Sequence, residues 1–198
     1  MNLLLICEIS GNLCIPDFGE AFAAHIRRKT HPDIQAASRT AWGLLAHGMK
    51  LLGHDSLPRA AFMPGGKPYF ENCSLHFSLT HSGSLAAALI SPGPCAVDIE
   101  CMRPETEARL AARCLSEAEQ AAGCGFFETW TKKECIGKLT GQGLPARPYE
   151  MDILRSPYAG CFFTEAIFDS DGQEYMLCTL CTEGHAPKIQ KITPEELF

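Results

Sequence analysis

The sequence predicts an α+β fold, with helices and strands in similar amounts in each half of the chain. Apolar residues recur at helical spacing over residues 33–52, and β-favouring apolar runs occupy residues 85–91 and 175–181. Turns rich in glycine and proline separate these segments. No βαβ unit with a G-x-G-x-x-G turn occurs, so a dinucleotide-binding fold of the Rossmann type is not indicated.

The first half is predicted to open with a strand and to continue into a long helix. Residues 3–7 are apolar, lack a basic flank and meet Glu8, which favours a first strand over a signal peptide. The helix over residues 33–52 ends where Gly53 follows it. The turn and the two strands that complete this half are predicted at residues 64–66, 75–80 and 85–91.

The second half follows a proline-rich break at residues 91–94, which divides the chain into residues 1–92 and 93–198. A strand over residues 95–100 and a helix near Pro104 come first, and Ser116 with Glu119 three positions later predicts a capped helix start. A helix over 126–139 closed by Gly141 and a hairpin of strands 161–168 and 175–181 with a turn at 169–172 complete this half.

Composition indicates a globular protein and excludes several function classes. The 198 residues carry 17 Lys and Arg against 23 Asp and Glu, a net charge of −6 that argues against general binding of nucleic acid. No apolar run approaches the roughly 18–20 residues needed to span a bilayer. With neither a signal peptide nor a membrane span indicated, we expect a cytoplasmic protein.

Eleven cysteines form no clear disulfide or metal framework. Cys178 and Cys181 make the one C-x-x-C, and no second such pair follows it, as a zinc site usually requires. A strand at this point places residues three apart on opposite faces. We therefore interpret these thiols as small buried apolar groups rather than as metal ligands or a redox pair.

Two acidic residues alternate with an apolar one in the predicted strand 95–100. Asp98 and Glu100 share a face of this strand, whereas Ile99 points into the core. Paired carboxylates suit a hard divalent cation such as Mg²⁺. The alternative is an ordinary polar strand end.

One stripe of the predicted helix 126–139 combines an aromatic, an acidic and a basic side chain. Trp130, Glu134 and Lys138 are four residues apart and face one side of the helix. Together with the neighbouring Lys132 and Lys133 they could serve a polyphosphate. The alternative is a surface Glu–Lys pair beside a core tryptophan, with the lysines on a solvated face.

A hydroxyl and an imidazole follow the predicted strand 75–80. Thr80 and His81, in a turn that also holds Ser82 and Gly83, could bind phosphate oxygens, although such a histidine is often only a satisfied turn residue. Ser82 is not interpreted as a nucleophile, because no G-x-S-x-G elbow surrounds it. Lys67 adds a cation on the glycine- and proline-rich turn before the strand.

The order of these motifs is more specific than any one of them. Gly-Lys-Pro at 66–68, Thr-His-Ser-Gly at 80–83, Val-Asp-Ile-Glu at 97–100 and W-x-x-K-E-C-x-x-K at 130–138 follow one another. This series resembles the 4′-phosphopantetheinyl transferases of the surfactin type. The resemblance implies a pseudo-dimer of two similar α+β halves with the active site in the cleft between them, in a monomeric enzyme.

The implied reaction moves the phosphopantetheine arm of coenzyme A to a serine of an acyl or peptidyl carrier protein and releases adenosine 3′,5′-bisphosphate. By the same resemblance, Asp98, Glu100 and Glu134 hold Mg²⁺. The expected base is then Glu134 or a metal-bound water that it orients, and Lys138 stabilises the pyrophosphate. The positions that match contacts to coenzyme A are Lys67, Thr80, His81, Lys133 and Lys138, with Arg39 and Thr40 expected near its 3′-phosphate or adenine and a contribution possible from residues 27–29.

Two other functions use the same residues differently. A Mg²⁺-dependent pyrophosphohydrolase acting on coenzyme A or a nucleotide would use water in place of the carrier serine. A non-catalytic binder of carrier proteins would use the acids only as structural groups. The sequence leaves open which pathway the carrier serves and whether Mg²⁺ or Mn²⁺ is used.

Overall fold

The computed structural model describes residues 1–11, 13–155, 162–183 and 185–197 and shows an α+β fold. The strands are β1 Leu3–Glu8, β2 Ala60–Phe62, β3 Pro68–Phe70, β4 His76–Ser82, β5 Leu85–Ser91, β6 Cys95–Cys101, β7 Phe162–Ser170, β8 Gln173–Cys181 and β9 Lys188–Lys191. The helices are α1 Glu20–Arg27, α2 Pro32–Leu51, α3 Pro104–Cys114, α4 Glu117–Ala121 and α5 Phe126–Thr140. Short 3₁₀ turns lie at Pro148–Glu150, Ile153–Arg155 and Pro194–Leu197.

The strands form two main sheets and a small hairpin within the described residues. One sheet has the order β4-β5-β1-β9, the other the order β6-β8-β7, and β2 pairs with β3. In both main sheets the first strand of a half pairs with the last strand of a hairpin, since β1 pairs with β5 and β6 pairs with β8. The orders β4-β5-β1 and β7-β8-β6 are therefore the same arrangement.

The core is layered, and strand alternation decides which layer each side chain enters. Leu5 of β1 packs with Leu45 of α2 on one face of the first sheet. Leu4, on the opposite face, packs with Val97 of β6, so the two sheets bury a common layer. The other face of the second sheet packs on α5. The order of layers is thus helix, sheet, sheet, helix.

Strands β4 and β6 lie side by side and are joined by side-chain hydroxyl groups. Ser78 Oγ accepts a hydrogen bond from the Val97 N–H at 3.1 Å, and Ser82 Oγ accepts one from the Cys101 N–H at 3.1 Å. This contact brings the end of the first half's hairpin against the strand that carries the two acids.

Most predicted elements are confirmed with small shifts. The long helix is α2, with the side chain of His31 accepting from the Asp33 N–H at its start. The capping box of Ser116 and Glu119 is present at α4. Gly141 ends α5 in the left-handed conformation, with φ of 72°. The predicted hairpin is β7–β8; its residue Cys161 lies outside the described residues.

The turn predicted at residues 80–83 is one place where the structure differs. His81 and Ser82 belong to β4, pairing with Ala86 and Leu85 of β5. The turn consists of Gly83 and Ser84, and Gly83 has φ of +56°. A two-residue turn of this kind keeps the strand ladder intact up to Ser82, so these side chains project from a strand rather than from a loop.

Some elements have no strong pattern in the sequence. The short α1, β2 and β3 were not predicted, and β9 pairs in parallel with β1 from a segment far along the chain. Strands as short as these do not show a clear alternation of apolar and polar residues.

None of the described helices is long and apolar enough to cross a bilayer.

The C-x-x-C prediction is confirmed in its geometry. Cys178 packs under α5, whereas Cys181 packs between the sheets, and the exposed fractions of both residues are 1% or less. The two thiols therefore lie on opposite faces of β8.

Candidate active site

A pocket of about 370 Å³ opens beside the junction of β4, β6 and α5. It combines acidic, basic and aromatic side chains from both halves of the chain. The lining residues are His25, Lys29, Ser38, Ala41, Trp42, Pro68, Leu79, Thr80, His81, Asp98, Glu100, Glu134 and Lys138.

The alternation of β6 delivers the two acids to this pocket. Asp98 and Glu100 both line it, while Ile99 between them is 1% exposed and packs in the layer between the sheets. The acids therefore point toward α5, as their spacing in a strand predicts.

Asp98 is nearly buried, and its two carboxylate oxygens are in different situations. Oδ1 accepts hydrogen bonds from Thr80 Oγ1 at 3.0 Å and from Lys138 Nζ at 2.6 Å. Oδ2 is buried and has no hydrogen-bond partner among the described residues. A buried anionic oxygen without a donor is costly, so it calls for a cation or a donor from a ligand.

Glu100 is held at both oxygens. Trp130 Nε1 donates to Oε1 at 3.1 Å, and Ser82 Oγ donates to Oε2 at 2.8 Å. Burial first, and then the charge of Asp98, raise the pKa of the Glu100 carboxyl, and the two hydrogen bonds oppose that rise. One donor comes from α5 and the other from β4, so both halves fix this carboxylate.

Helix α5 contributes one stripe of side chains to the site. Trp130 binds Glu100, Glu134 lines the pocket, and Lys138 binds Asp98. Burial, followed by the charge of Asp98, raises the pKa of Glu134 to about 7. A carboxyl group with this pKa exchanges its proton near neutral pH, which suits a general base.

Lys138 is a fixed positive charge beside the acids. Its Nζ also donates to the Val97 carbonyl oxygen at 3.0 Å. Burial alone lowers the pKa of this ammonium group, but the charge and hydrogen bond of Asp98 outweigh burial, and the pKa is raised. Lys138 therefore keeps its proton and acts through its charge.

Basic and aromatic side chains also line the pocket. His25 stacks on the ring of Phe62 with 4.7 Å between ring centroids. Lys29 and His81 also line the pocket, and the loss of surrounding water, followed by the charges of Lys29 and Lys138, lowers the pKa of His81. The pocket thus combines the acidic side chains with Lys138, Lys29 and two histidines.

The acidic side chains of the pocket are of the type that binds a hard divalent cation, but the described residues do not form a complete metal site. No group of three His, Cys, Asp or Glu side chains in the described ranges is close enough to hold a metal ion. Asp98 Oδ1 is engaged by Lys138 and both Glu100 oxygens accept hydrogen bonds. In chemistry, the unpartnered Oδ2 of Asp98 and the carboxyl groups of Glu100 and Glu134 in the same pocket are hard oxygen donors of the kind that Mg²⁺ prefers.

The structure does not bring Lys133 to this pocket. Its side chain is 0% exposed and forms a buried ion pair with Glu119 at 2.7 Å, with further bonds to the carbonyl oxygens of Cys114 and Pro148. The expectation that Lys133 contacts the anion of coenzyme A is therefore corrected: all of its donors are turned into the protein. Residue 133 precedes 134 on the helix and faces another side of it.

Arg39 and Thr40 also lie off the pocket wall. Ser38, Ala41 and Trp42 share one face of α2 and line the pocket. Thr40 is 0% exposed, donates to the Ala36 carbonyl oxygen and accepts from the Ser10 N–H. Its hydroxyl is thereby used within the protein, and Arg39 is half-buried outside this lining.

Lys67 lies next to the pocket rather than in its wall. Its Nζ donates to the carbonyl oxygens of Leu139 at 3.2 Å and Cys95 at 3.4 Å. It lines a neighbouring depression of about 240 Å³ that shares Pro68, Leu79 and Lys138 with the pocket. Lys67 is therefore close enough to the pocket to remain a predicted contact.

Sequence reasoning missed the contribution of His25 and of the α2 face. The sequence predicts a basic cluster at residues 27–29 without a register. The structure places Lys29 in the pocket, while Arg27 pairs with Glu20 at the surface. The signal that could have found this is a helix over residues 20–27. In such a helix Phe22 and Ile26 share one buried face, and Arg27 lies on another face.

Comparisons with known proteins point to one enzyme class. No family model matches the chain. The chain is 33% identical over 89 residues to 4′-phosphopantetheinyl transferase psf-1 of Bacillus pumilus. The aligned region covers 40% of this chain and 38% of that protein. It is 32% identical over 88 residues, 40% of this chain and 36% of the relative, to 4′-phosphopantetheinyl transferase gsp of Aneurinibacillus migulanus.

A 4′-phosphopantetheinyl transferase of Bacillus subtilis is also similar, with 34% identity over 89 residues, 40% of this chain and 39% of the relative. The aligned part of the chain thus spans less than two fifths of the length of each of these relatives. The likeness names an enzyme class for the aligned part only.

Proposed function

We propose that this protein is a 4′-phosphopantetheinyl transferase, which moves the phosphopantetheine arm of coenzyme A to a serine of an acyl or peptidyl carrier protein. The observation that carries the proposal is one pocket lined by Asp98, Glu100, Glu134 and Lys138 together with Lys29 and His25. The similarity to three proteins of this name supports the same conclusion.

The charged side chains that line the pocket suit the two anionic parts of coenzyme A. A pyrophosphate needs charge neutralisation where it is attacked, and a separate 3′-phosphate needs cations of its own. We assign the acids with Lys138 to the former, and Lys29 with the neighbouring His25 to the latter. Thr80, His81 and Lys67 are the further proposed contacts to the phosphates, and Arg39 and Thr40 are left outside the proposed lining.

The proposed metal ligands are Asp98, Glu100 and Glu134. Asp98 Oδ2 is the buried oxygen that lacks a donor, and it is the group we expect to bind Mg²⁺ most directly. When bound, Mg²⁺ would supply charge neutralisation at the pyrophosphate oxygens. A residue set made only of carboxylates is consistent with that role.

The proposed catalytic residues are Glu134 and Lys138. Glu134, whose pKa is raised to about 7, accepts the proton of the carrier serine. At the same time the serine oxygen bonds to the β-phosphorus of coenzyme A. The bond that breaks joins this phosphorus to the oxygen of the adenosine 5′-phosphate, which leaves as adenosine 3′,5′-bisphosphate. Lys138 holds its positive charge beside the leaving anion.

Intact-mass measurement of an apo carrier protein tests this proposal. Incubation with coenzyme A, Mg²⁺ and the protein should add one phosphopantetheine group to the carrier, and a chelator should abolish the gain. Release of free phosphopantetheine with an unmodified carrier would instead identify a pyrophosphohydrolase. Carrier binding without either product would identify a non-catalytic partner. A panel of carriers from fatty acid, polyketide and peptide synthesis would define the partner.

The proposal includes the division into residues 1–92 and 93–198 as two similar halves of a pseudo-dimer with the site in the cleft between them. The matching orders β4-β5-β1 and β7-β8-β6 support it, as does a pocket lined by residues of both halves. Strand β9, which belongs to the second half, completes the first sheet. A monomeric, cytoplasmic enzyme remains part of the proposal, and light scattering tests the former.

A further inference from the structure

Three hydroxyl side chains project from one side of β4 toward β6. Ser78 accepts from the Val97 N–H, Thr80 donates to Asp98 Oδ1, and Ser82 accepts from the Cys101 N–H while donating to Glu100 Oε2. They are two residues apart, so the alternation of the strand places all three on the same face. Ser78 therefore touches only backbone of β6, whereas Thr80 and Ser82 each touch one of the acids.

The hydroxyl group of Ser82 is oriented by the backbone of β6. Its oxygen accepts from a backbone N–H at 3.1 Å, so its one hydrogen is left to donate to Glu100 Oε2 at 2.8 Å. The other Glu100 oxygen is bound by the Trp130 indole at 3.1 Å. With a donor on each side, the carboxylate cannot rotate freely, although each oxygen retains a lone pair for a further partner.

We propose that Ser82 is a positioning residue of the metal site: its hydroxyl, carried by the first half of the chain, orients the Glu100 carboxylate of the second half for a divalent cation. The inference rests on the proposed function, since it deepens the role of the same acids. Groups that orient metal ligands through hydrogen bonds typically change metal affinity about 10- to 100-fold when they are removed. The β4–β6 contact therefore sets the cation affinity of acids that lie on β6 and α5.

Binding of Mn²⁺ to the protein without substrate tests this role. The loss of the free-ion signal in electron paramagnetic resonance gives the dissociation constant without any turnover. Ser82→Ala should weaken Mn²⁺ binding about tenfold or more. Ser82→Thr keeps the hydroxyl and should bind Mn²⁺ within about twofold of wild type by the same reasoning. Ser82→Cys, a weaker donor of similar size, replaces Ser82→Ala if that variant does not fold.

Ser78→Ala is the matched control. It removes a hydroxyl from the same strand and breaks the same kind of bond to β6, but Ser78 touches no carboxylate. It should lower the free energy of unfolding in urea while leaving Mn²⁺ affinity unchanged.

Each arm of the experiment has its own meaning. Wild-type affinity in Ser82→Ala would overturn the inference and leave the metal site standing. Equal weakening in Ser78→Ala and Ser82→Ala would also overturn it, because strand docking and not the contact to Glu100 would then control the affinity. Absence of Mn²⁺ binding to wild type would overturn the metal site of the proposed function, and the inference with it.

Discussion

At the scale of one residue, the two carboxylate oxygens of Asp98 have different roles. Its Oδ1 is held by Thr80 and Lys138, whereas its buried Oδ2 has no partner among the residues that the structure describes. The first oxygen fixes the carboxylate in place, and the second is available to a ligand. The charge of Asp98 also contributes to the raised pKa values of Glu100 and Glu134.

Asp98→Asn should abolish measurable transfer and weaken Mn²⁺ binding by at least about 100-fold, because it removes the charge of the most buried acid in the pocket. The amide has nearly the same shape, so circular dichroism should show a folded protein. Glu71→Gln, an exposed acid outside the pocket, is the control and should behave as wild type. Full activity of Asp98→Asn with Mg²⁺ present would contradict the metal assignment.

Lys138→Met should lower kcat about 100-fold, the typical loss when one donor to a developing negative charge is removed. The KM for the carrier protein should change little, because this ammonium group faces Asp98 inside the pocket and not the outer surface. Steady-state kinetics with varied carrier concentration separate the two effects. A rise in carrier KM with unchanged kcat would assign Lys138 to docking instead.

Helix α5 performs two tasks at the scale of one element. Glu134 and Lys138 face the pocket, whereas Lys133 enters a fully buried ion pair with Glu119 of α4. The carboxylate of Glu119 also accepts from the N–H groups of Ser116 and Ile153. This network attaches the α4 region to the helix that carries the proposed catalytic residues.

Lys133→Met should lower the free energy of unfolding by about 3–5 kcal/mol, since it leaves the buried Glu119 charge without its partner. The double variant Lys133→Met with Glu119→Leu should be more stable than either single variant, because no buried charge then remains. Urea unfolding of the four proteins measures this. Additive losses would show that the two side chains do not act as a pair.

The same pair predicts a pH dependence of stability. Burial alone raises the pKa of Glu119, but the hydrogen bond from Lys133 and those from the backbone outweigh burial, and the pKa is lowered. A carboxyl with a lowered folded-state pKa stabilises the protein above its ordinary pKa, and that contribution is lost as pH falls through the folded-state value. The stability difference between wild type and Lys133→Met should therefore shrink in acid, as unfolding measured at several pH values would show.

The turn between β2 and β3 packs directly on the end of α5. A Cβ atom at Gly65 would overlap the carbonyl oxygen of Gly141. Gly65→Ala should thus cost about 1–3 kcal/mol of unfolding free energy, as overpacking usually does. Gly11→Ala, where a Cβ atom meets nothing within 4 Å, is the control. Equal stability of the two variants would contradict this contact.

At the scale of the whole molecule, a ligand in the pocket should stabilise both halves together. Coenzyme A with Mg²⁺ at 100 times its Kd should raise the unfolding free energy by about 2.7 kcal/mol. For a chain of this size that corresponds to a rise in Tm of roughly 5–10 °C. Differential scanning fluorimetry checks this, with Asp98→Asn as the variant that should show a smaller shift. No shift in wild type would argue against the pocket as the coenzyme site.

The sequence by itself determined the elements and residue types whose cause is local. Helical spacing fixed α2 and α5, and alternation placed Asp98 and Glu100 on one face of β6. The motif order indicated the enzyme class that we propose. These predictions depend only on the periods of the helix and the strand, which neighbouring residues specify.

Only the tertiary structure decided which charged groups meet in the pocket. Lys133 and Lys138 are both basic residues of α5, yet one is buried against Glu119 and the other binds Asp98. Ser82 reaches Glu100 because β4 lies beside β6, and β9 joins β1 from the far end of the chain. Such contacts depend on how sheets and helices pack over long separations in the chain, which no local period encodes.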